Sequence, residues 1–192
     1  MWASVDSNNN VVKVFTRPKP FIYNGIKHPI SVFNQSRSFK QSIGLYDVVF
    51  DETNKKNSKY YTNTSLTFAV DGDVVKGSYG PAIAKDLVEL KEKHKIKIKQ
   101  EAAALLKDSD WYLIRKQEDS TTSIPSNIST FRSAVRTKSN EMEAVIDSAT
   151  DVDDLASKYV YTQTAILDEV NAPTGEYTST RPLGEWPELL ID

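Results

Sequence analysis

The sequence lacks the residues on which several common kinds of protein site depend. Among its 192 residues there is no cysteine, and there are only two histidines, His28 and His94. The absence of cysteine excludes disulfide bonds, thiolate metal sites and cysteine nucleophiles. Two histidines leave little material for a histidine zinc site or a Ser-His-Asp triad. We therefore predict that the chain is not an enzyme and holds no cofactor and no metal.

Long apolar segments are also missing. No uninterrupted apolar run comes near the roughly 20 residues that a membrane span requires. The first residues contain neither the basic nor the apolar region of a secretory signal, and we expect no membrane contact. Apolar residues make up 39% of the chain and charged residues 26%, which is a globular balance. At about 150 residues per domain, the length allows one domain or two small ones.

Charge is distributed unevenly along the chain. Residues 1–80 carry ten Lys and Arg against six Asp and Glu, residues 81–107 carry seven against four, and residues 108–192 carry seven against sixteen. The regional net charges are therefore +4, +3 and −9, which give the overall −2. A basic front and an acidic back can attract each other within one chain or between copies, or both can be ordinary solvated surfaces. The sequence therefore leaves self-association open.

Residues 1–80 have the pattern of a small antiparallel β module. Short segments rich in β-branched and aromatic residues alternate with polar turns. Asn24-Gly25 is the strongest hairpin signal, because these residue types tolerate the positive φ of a type I′ turn. Asp71-Gly72-Asp73 predicts a second tight turn. The segments that we predict as strands are 11–16, 21–23, 26–28, 30–33, 46–50, 60–61, 66–70 and 74–79.

After Pro81 the apolar residues follow a helical period. Steps of three and four residues predict one helix over residues 83–107 and, after Pro125, a second over residues 128–149. The alternating lysines of the first helix point in several directions and are interspersed with glutamates, which favours a solvated surface. We therefore predict no nucleic-acid binding. Two adjacent helices predict a helical hairpin within residues 81–161.

The remainder of the chain is harder to place. Thr150 begins a capping-box pattern, Thr-Asp-Val-Asp, which predicts a third short helix. From residue 162 proline and glycine interrupt a polar, acidic stretch, so we predict an extended acidic tail over residues 162–192 that is mobile unless something holds it. Trp186 is hard to bury locally and is a candidate anchor for a partner groove. The predicted fold class is α+β: an antiparallel β module over residues 1–80, a helical hairpin plus a short helix over residues 81–161, and the tail.

One motif spans the end of the first predicted helix and the start of the second. Two leucines precede an Asp-Trp pair and an arginine, and then come a proline, an aromatic residue followed by arginine, and a further arginine. These positions are Leu105, Leu106, Asp110, Trp111, Arg115, Pro125, Phe131, Arg132 and Arg136. The pattern resembles the C-terminal segment of tail assembly chaperones and tail-fibre assembly proteins of tailed bacteriophages. The Met-Trp-Ala opening and the Ile43-Gly-Leu-Tyr46 segment resemble the β module of many such phage proteins.

The resemblance implies a non-enzymatic protein that binds a phage tail, fibre or baseplate protein in the host cytoplasm during phage assembly. Chaperones of this family usually end soon after the second helix, so the extra tail supports an alternative: a permanent virion component, such as a baseplate or fibre adaptor, retained in the virion tail. An enzyme with a carboxylate pair on the β module is a distant third. The expected partner-binding or hairpin-locking residues are Asp110, Trp111, Arg115, Phe131, Arg132, Arg136 and Trp186.

Two contacts at the joint between the helices follow as specific expectations. Asp110 lies where it can pair with Arg115 or with Arg136. Trp111 and its neighbour Tyr112 lie between the two helical stripes, where we expect them to fill the joint. Both expectations depend on which turns of the two helices face each other.

Overall fold

The computed structural model describes residues 1–169 and 173–189. The chain divides into two compact units, Met1–Ile83 and Ala84–Asp192. Strands dominate the first unit and helices the second, so the fold class is α+β, as predicted. The boundary lies at residue 83, close to the predicted end of the β module at residue 80.

The first unit consists mainly of short strands. One helix, α1 (Arg37–Ser42), and a 3-10 turn (Ile30–Asn34) interrupt them. The strands that begin in this unit are β1 (Trp2–Val5), β2 (Val11–Phe15), β3 (Phe21–Tyr23), β4 (Ile26–His28), β5 (Leu45–Asp51), β6 (Tyr61–Thr62), β7 (Leu66–Asp71), β8 (Val74–Tyr79) and β9 (Ile83–Ala84).

Five of these strands form a mixed sheet in the order β2-β1-β5-β8-β7. Strands β5 and β8 run parallel, with Val48 opposite Val75, whereas the other neighbouring strands run antiparallel. The prediction of a purely antiparallel module is therefore wrong at one strand pair. The reason is topological: the β7–β8 hairpin inserts its second strand beside β5, and this strand runs in the same direction as β5.

The sheet buries apolar side chains on both faces. Along β1, Trp2 packs against an aromatic cluster on one face, whereas Ala3 and Val5 are buried on the other, as the alternation of a strand requires. The aromatic cluster contains Phe15, Phe21, Val32, Phe33 and Leu45. The edge strands β2 and β7 contact each other, so the sheet curls around the second face.

Both predicted tight turns are present, whereas one predicted strand is a 3-10 turn. Asn24 and Gly25 have φ of 48° and 77°, and Gly72 has φ of 57°, so both tight turns are confirmed. The segment 30–33, predicted as a strand, is instead the 3-10 turn, which follows Pro29 and buries Val32 and Phe33 in the aromatic cluster. Burial of two adjacent side chains on one side is not possible in a flat strand.

Gly44 lies at a tightly packed position of the first unit. Its φ of +68° lies in the left-handed region, and an added Cβ atom would overlap the Tyr23 ring and lie 2.6 Å from the Val5 carbonyl oxygen. The Gly44 carbonyl in turn accepts a hydrogen bond from the Val5 N–H at 2.8 Å. Glycine is therefore required at this position for two reasons, its backbone conformation and its lack of a side chain.

The second unit contains four helices and two strands within the part of the chain that the structure describes. The elements are α2 (Leu87–Lys107), α3 (Asp110–Glu118), α4 (Ser126–Asp147), α5 (Val152–Ser157), β10 (Thr162–Leu167) and β11 (Pro173–Thr180). Helix α2 starts four residues later than predicted, where the Asp86 carboxylate accepts a hydrogen bond from the Glu89 N–H at 2.7 Å. The predicted third helix is α5, but its cap is Asp151, not Thr150. Helix α3 was not predicted.

The predicted extended tail has regular structure. Strands β10 and β11 form an antiparallel hairpin in which Thr162 lies opposite Thr180. The prediction of an extended tail is therefore wrong for this segment, because its threonines favour strand structure more strongly than the single Gly175 opposes it. The parts of the predicted tail at residues 170–172 and 190–192 lie outside the described residues.

Candidate functional site

The second unit is built on the antiparallel pair α2 and α4. Lys95 Nζ lies 3.1 Å from Asp147 Oδ1, and one turn further along α2, Lys99 Nζ lies 3.2 Å from Glu143 Oε2. Each pair has one exposed partner, and ion pairs screened by solvent in this way stabilise a protein little. The main contribution comes from the apolar stripes between the helices, whose buried members include Leu90, Ile98, Ala102, Ile128, Phe131, Val135, Met142 and Ile146.

Arg132 near the start of α4 connects this helix to the end of α2 and the start of α3. Its side chain is 5% exposed, and its Nη2 lies 2.8 Å from Asp110 Oδ1. Its Nη1 donates to the Leu106 carbonyl oxygen at 2.9 Å and to the Ser109 hydroxyl at 2.6 Å. A planar guanidinium can satisfy several acceptors in fixed directions, which an ammonium group does less well. Arg132 therefore holds the end of α2 and the first turn of α3 against α4.

The partner of Asp110 differs from the prediction. Asp110 pairs with Arg132, so the expected pairing with Arg115 or Arg136 is wrong. Arg115 and Arg136 are exposed, and neither forms an ion pair with any residue in 1–169 or 173–189. Arg136 lies one turn beyond Arg132, on the solvent side of α4, whereas Arg132 faces the end of α2.

Trp111 lies on the surface and not in the joint. Its side chain is 48% exposed and its ring stacks on Tyr112, with ring centres 3.7 Å apart. The expectation that Trp111 fills the joint is therefore wrong, because Arg132 and Ser109 occupy that space. None of the residues of α3 is buried.

Trp186 packs against both helices of the α2–α4 pair. Its ring packs against a buried cluster of Ala102, Phe131 and Val135, and its Nε1–H donates to Glu101 Oε2 at 3.0 Å. Tryptophan suits such a position, because its apolar body is buried while its N–H finds an acceptor. The side chain that we predicted as an anchor for a partner is thus used by the chain itself, whereas Phe131 supports it from α4.

Residues 181–189, the strap, carry Trp186 and are attached to the unit at a second point. Leu183 is buried, and its N–H donates to the Lys158 carbonyl oxygen at 3.0 Å. Arg181 forms an ion pair with Glu185, with 3.0 Å between Nε and Oε1. The strap therefore has contacts of its own with the unit on both sides of Gly184.

An open cleft of about 830 Å³ lies between the end of α2, α3, the start of α4 and the strap. Its charged lining residues are Asp108, Glu185 and Glu188, all acidic. We call it the acidic cleft. The rest of its lining is mostly apolar or aromatic and comprises Ala104, Leu105, Ser109, Trp111, Tyr112, Ile128, Phe131, Trp186, Pro187 and Leu189. Such a surface suits an apolar segment that carries positive charge.

The shifted pKa values in this unit have structural causes. The Lys158 ammonium, 2.9 Å away, and the Thr150 N–H hold the pKa of Asp154 below its ordinary value of 3.8. A hydrogen bond with Glu185 raises the pKa of the Tyr161 phenol above its ordinary value. Both groups connect neighbouring segments of the unit.

Residues 1–169 and 173–189 contain neither a cluster of metal ligands nor a membrane-spanning helix. No group of three or more His, Asp or Glu side chains there could hold a metal ion. No helix within these ranges has the length and apolar character to cross a bilayer. His94 is buried and its ring packs on Tyr159, with ring centres 4.6 Å apart.

Comparison of the chain with protein-family models, with curated proteins and with solved structures finds no match. The resemblance to phage tail-assembly proteins therefore depends on the motif residues alone. It stays a prediction.

The surface of α3 is the feature that sequence reasoning missed. Its apolar residues are too few for a stripe like those of α2 and α4. A different signal was present: Asp110 at its start and Arg115 and Lys116 in its last turn suit the helix dipole. These end residues, taken with Leu113 and Ile114, could have identified a short exposed helix.

Proposed function

We propose that this protein is a non-enzymatic assembly factor that binds a tail, fibre or baseplate protein of a tailed bacteriophage through α3. The observation that carries the proposal is the exposure of this helix. Trp111, Leu113 and Ile114 are all exposed, Ile114 by 58%, although Arg132 fixes the first turn of the helix. Clustered exposed apolar residues mark interaction surfaces, and a helix that is already fixed loses little conformational entropy on binding.

The phage assignment is supported by the motif residues. Leu106, Asp110 and Arg132 belong to the pattern that resembles the phage proteins, and Arg132 contacts each of the other two. The pattern is therefore one that maintains the position of α3 relative to α4. A factor of this kind acts in the host cytoplasm while tails are assembled.

Co-expression tests this function. The full chain, carrying an affinity tag, is expressed with each tail, fibre and baseplate protein of its phage in turn. We expect the wild type to retain one of them and the variant L113S/I114S to lose it. The control V88S/I96S removes two exposed apolar residues from α2 and should retain the partner. Retention of the partner by all three chains, or by none, overturns the proposal.

The alternative role, a permanent virion component, is supported by the residues after α5. The β10–β11 hairpin and the strap belong to the second unit, and the strap is attached to its helices through Leu183 and Trp186. Mass spectrometry of purified particles separates the two roles. A virion component is present in a fixed ratio to the other tail proteins, whereas a chaperone that leaves after assembly is absent.

A further inference from the structure

The segment 7–46 of the first unit carries positive charge only. It contains six lysines and arginines and no aspartate or glutamate. Arg37 and Lys40 pair with Asp47, outside this segment. The cations that form no ion pair within the described part of the chain include Arg17, Lys19 and Lys27, all of which are exposed.

Lys27 lies within the β3–β4 hairpin and the other two cations precede it in the chain. Residues 17–28 together form the basic arm. Phe21 is buried in the aromatic cluster, so the next residue, Ile22, points away from it. Ile22 is 69% exposed and lies opposite Lys27 in the strand register, which places both on the same outer face. The basic arm therefore presents an apolar side chain next to a positive charge.

The acidic cleft of the second unit has the complementary chemistry. Its lining includes Asp108, Glu185 and Glu188 and no lysine or arginine, and exposed Leu105 and Leu189 lie among them. Glu185 is paired with Arg181, whereas Asp108 and Glu188 have no ion-pair partner within the described residues. Carboxylates around an apolar surface favour an apolar ligand with positive charge and discriminate against acidic ones.

We propose that the basic arm of one copy docks in the acidic cleft of a second copy. Both surfaces are exposed, both combine apolar residues with charge, and their charges are opposite. The charge of the whole chain is divided in the same way, +4 over residues 1–80 and −9 over residues 108–192. A contact between two different surfaces of one chain joins copies head to tail, which gives a closed ring or an open chain. This self-association goes beyond the proposed function, which requires Leu113 and Ile114 and not the arm.

Charge reversal in the full chain tests this contact. The variant K19E/K27E reverses the arm, and D108K/E188K reverses the cleft. Sedimentation velocity over a range of concentrations measures association of each chain. We expect the wild type to associate as its concentration rises, and each variant alone to associate about thirtyfold more weakly, since two pairs change from attraction to repulsion.

An equimolar mixture of the two variants is the decisive sample. In the mixture, the reversed arm of one variant meets the reversed cleft of the other, and the unchanged arm meets the unchanged cleft. We therefore expect the mixture to associate as the wild type does, which also shows that both variants are folded. Docking of the arm within its own chain cannot produce this rescue.

Two control variants should leave the association unchanged. K55E/K59E changes the net charge of the first unit by the same amount away from the arm, and it should associate like the wild type. L113S/I114S should also do so, which separates this proposal from the binding of a tail protein. A wild type that stays monomeric at every concentration, variants that associate normally, or a mixture that is not rescued overturns the proposal.

Discussion

Replacing Arg132 with alanine removes the buried group that joins α2, α3 and α4. The variant loses two hydrogen bonds from Nη1, to Leu106 and Ser109, and the ion pair with Asp110. The Ser109 hydroxyl still donates to the Leu106 carbonyl oxygen at 2.8 Å, so this acceptor keeps one partner. The loss is therefore smaller than for a fully orphaned buried carbonyl.

The loss in free energy of unfolding that R132A causes can be worked out from these contacts. Each hydrogen bond from the charged guanidinium contributes about 1.5 kcal/mol to the free energy of unfolding. Asp110 is 54% exposed, so its ion pair adds only about 0.5 kcal/mol after screening by solvent. We expect R132A to lower the free energy of unfolding by about 3.5 kcal/mol. R132K, which keeps the charge but loses the planar geometry, should lower it by about half as much.

Urea denaturation followed by circular dichroism at 222 nm measures the stability of the second unit, because the long helices that give this signal lie there. With an m-value of about 1.5 kcal/mol/M, the midpoint for R132A should fall by about 2 M. R136A is the matched control, one turn along the same helix and exposed, and should stay within about 0.5 kcal/mol of the wild type. If R132A and R136A unfold at the same urea concentration, Arg132 does not join the helices as described.

Three further changes test other parts of the structure. G44A should lower the free energy of unfolding by more than about 3 kcal/mol, because the added Cβ is strained by the backbone conformation and overlaps its neighbours. G72A, with no atom within 4 Å of the added Cβ, should lower it by about 1 kcal/mol. Urea denaturation compares the two variants, and equal losses of stability contradict the packing at Gly44. W186A should cost about 2 kcal/mol and expose the strap to limited proteolysis, and an unchanged cleavage rate contradicts its docking. The Thr53 hydroxyl, as the largest cause, holds the pKa of Asp51 well below its ordinary 3.8. The stability that D51N removes should therefore be fully present above pH 3.8 and disappear as the pH falls through the lower pKa of the folded state. If the difference in urea midpoint between the wild type and D51N does not change over this pH range, the pKa of Asp51 is not lowered on folding.

Local patterns predicted most of the elements. The Asn24-Gly25 turn depends only on the backbone preferences of its two residues, and the stripe of α4 repeats over several turns, so both could be identified without knowledge of any distant contact. The sequence of residues 162–180 also contained a strand signal in its threonines. The isolated Pro173 and Gly175 predict an interruption there, but both lie within strand β11.

Contacts between distant residues could not be predicted in the same way. The motif contains three arginines with which Asp110 could pair. It pairs with Arg132 because this residue of α4 points toward the end of α2. Trp186 and Glu101 are 85 positions apart, and no local pattern connects them. The parallel pair β5–β8 likewise depends on the order of strands in the sheet, which the strand segments alone do not determine.

The most direct measurement of the central claim is the affinity of the full chain for the phage tail, fibre or baseplate protein that it retains on co-expression, determined by isothermal titration calorimetry. Burial of Leu113 and Ile114 at the interface predicts that L113S/I114S binds about tenfold to a hundredfold more weakly than the wild type. The control V88S/I96S should bind with unchanged affinity. If L113S/I114S binds as tightly as the wild type, α3 is not the surface through which this protein acts.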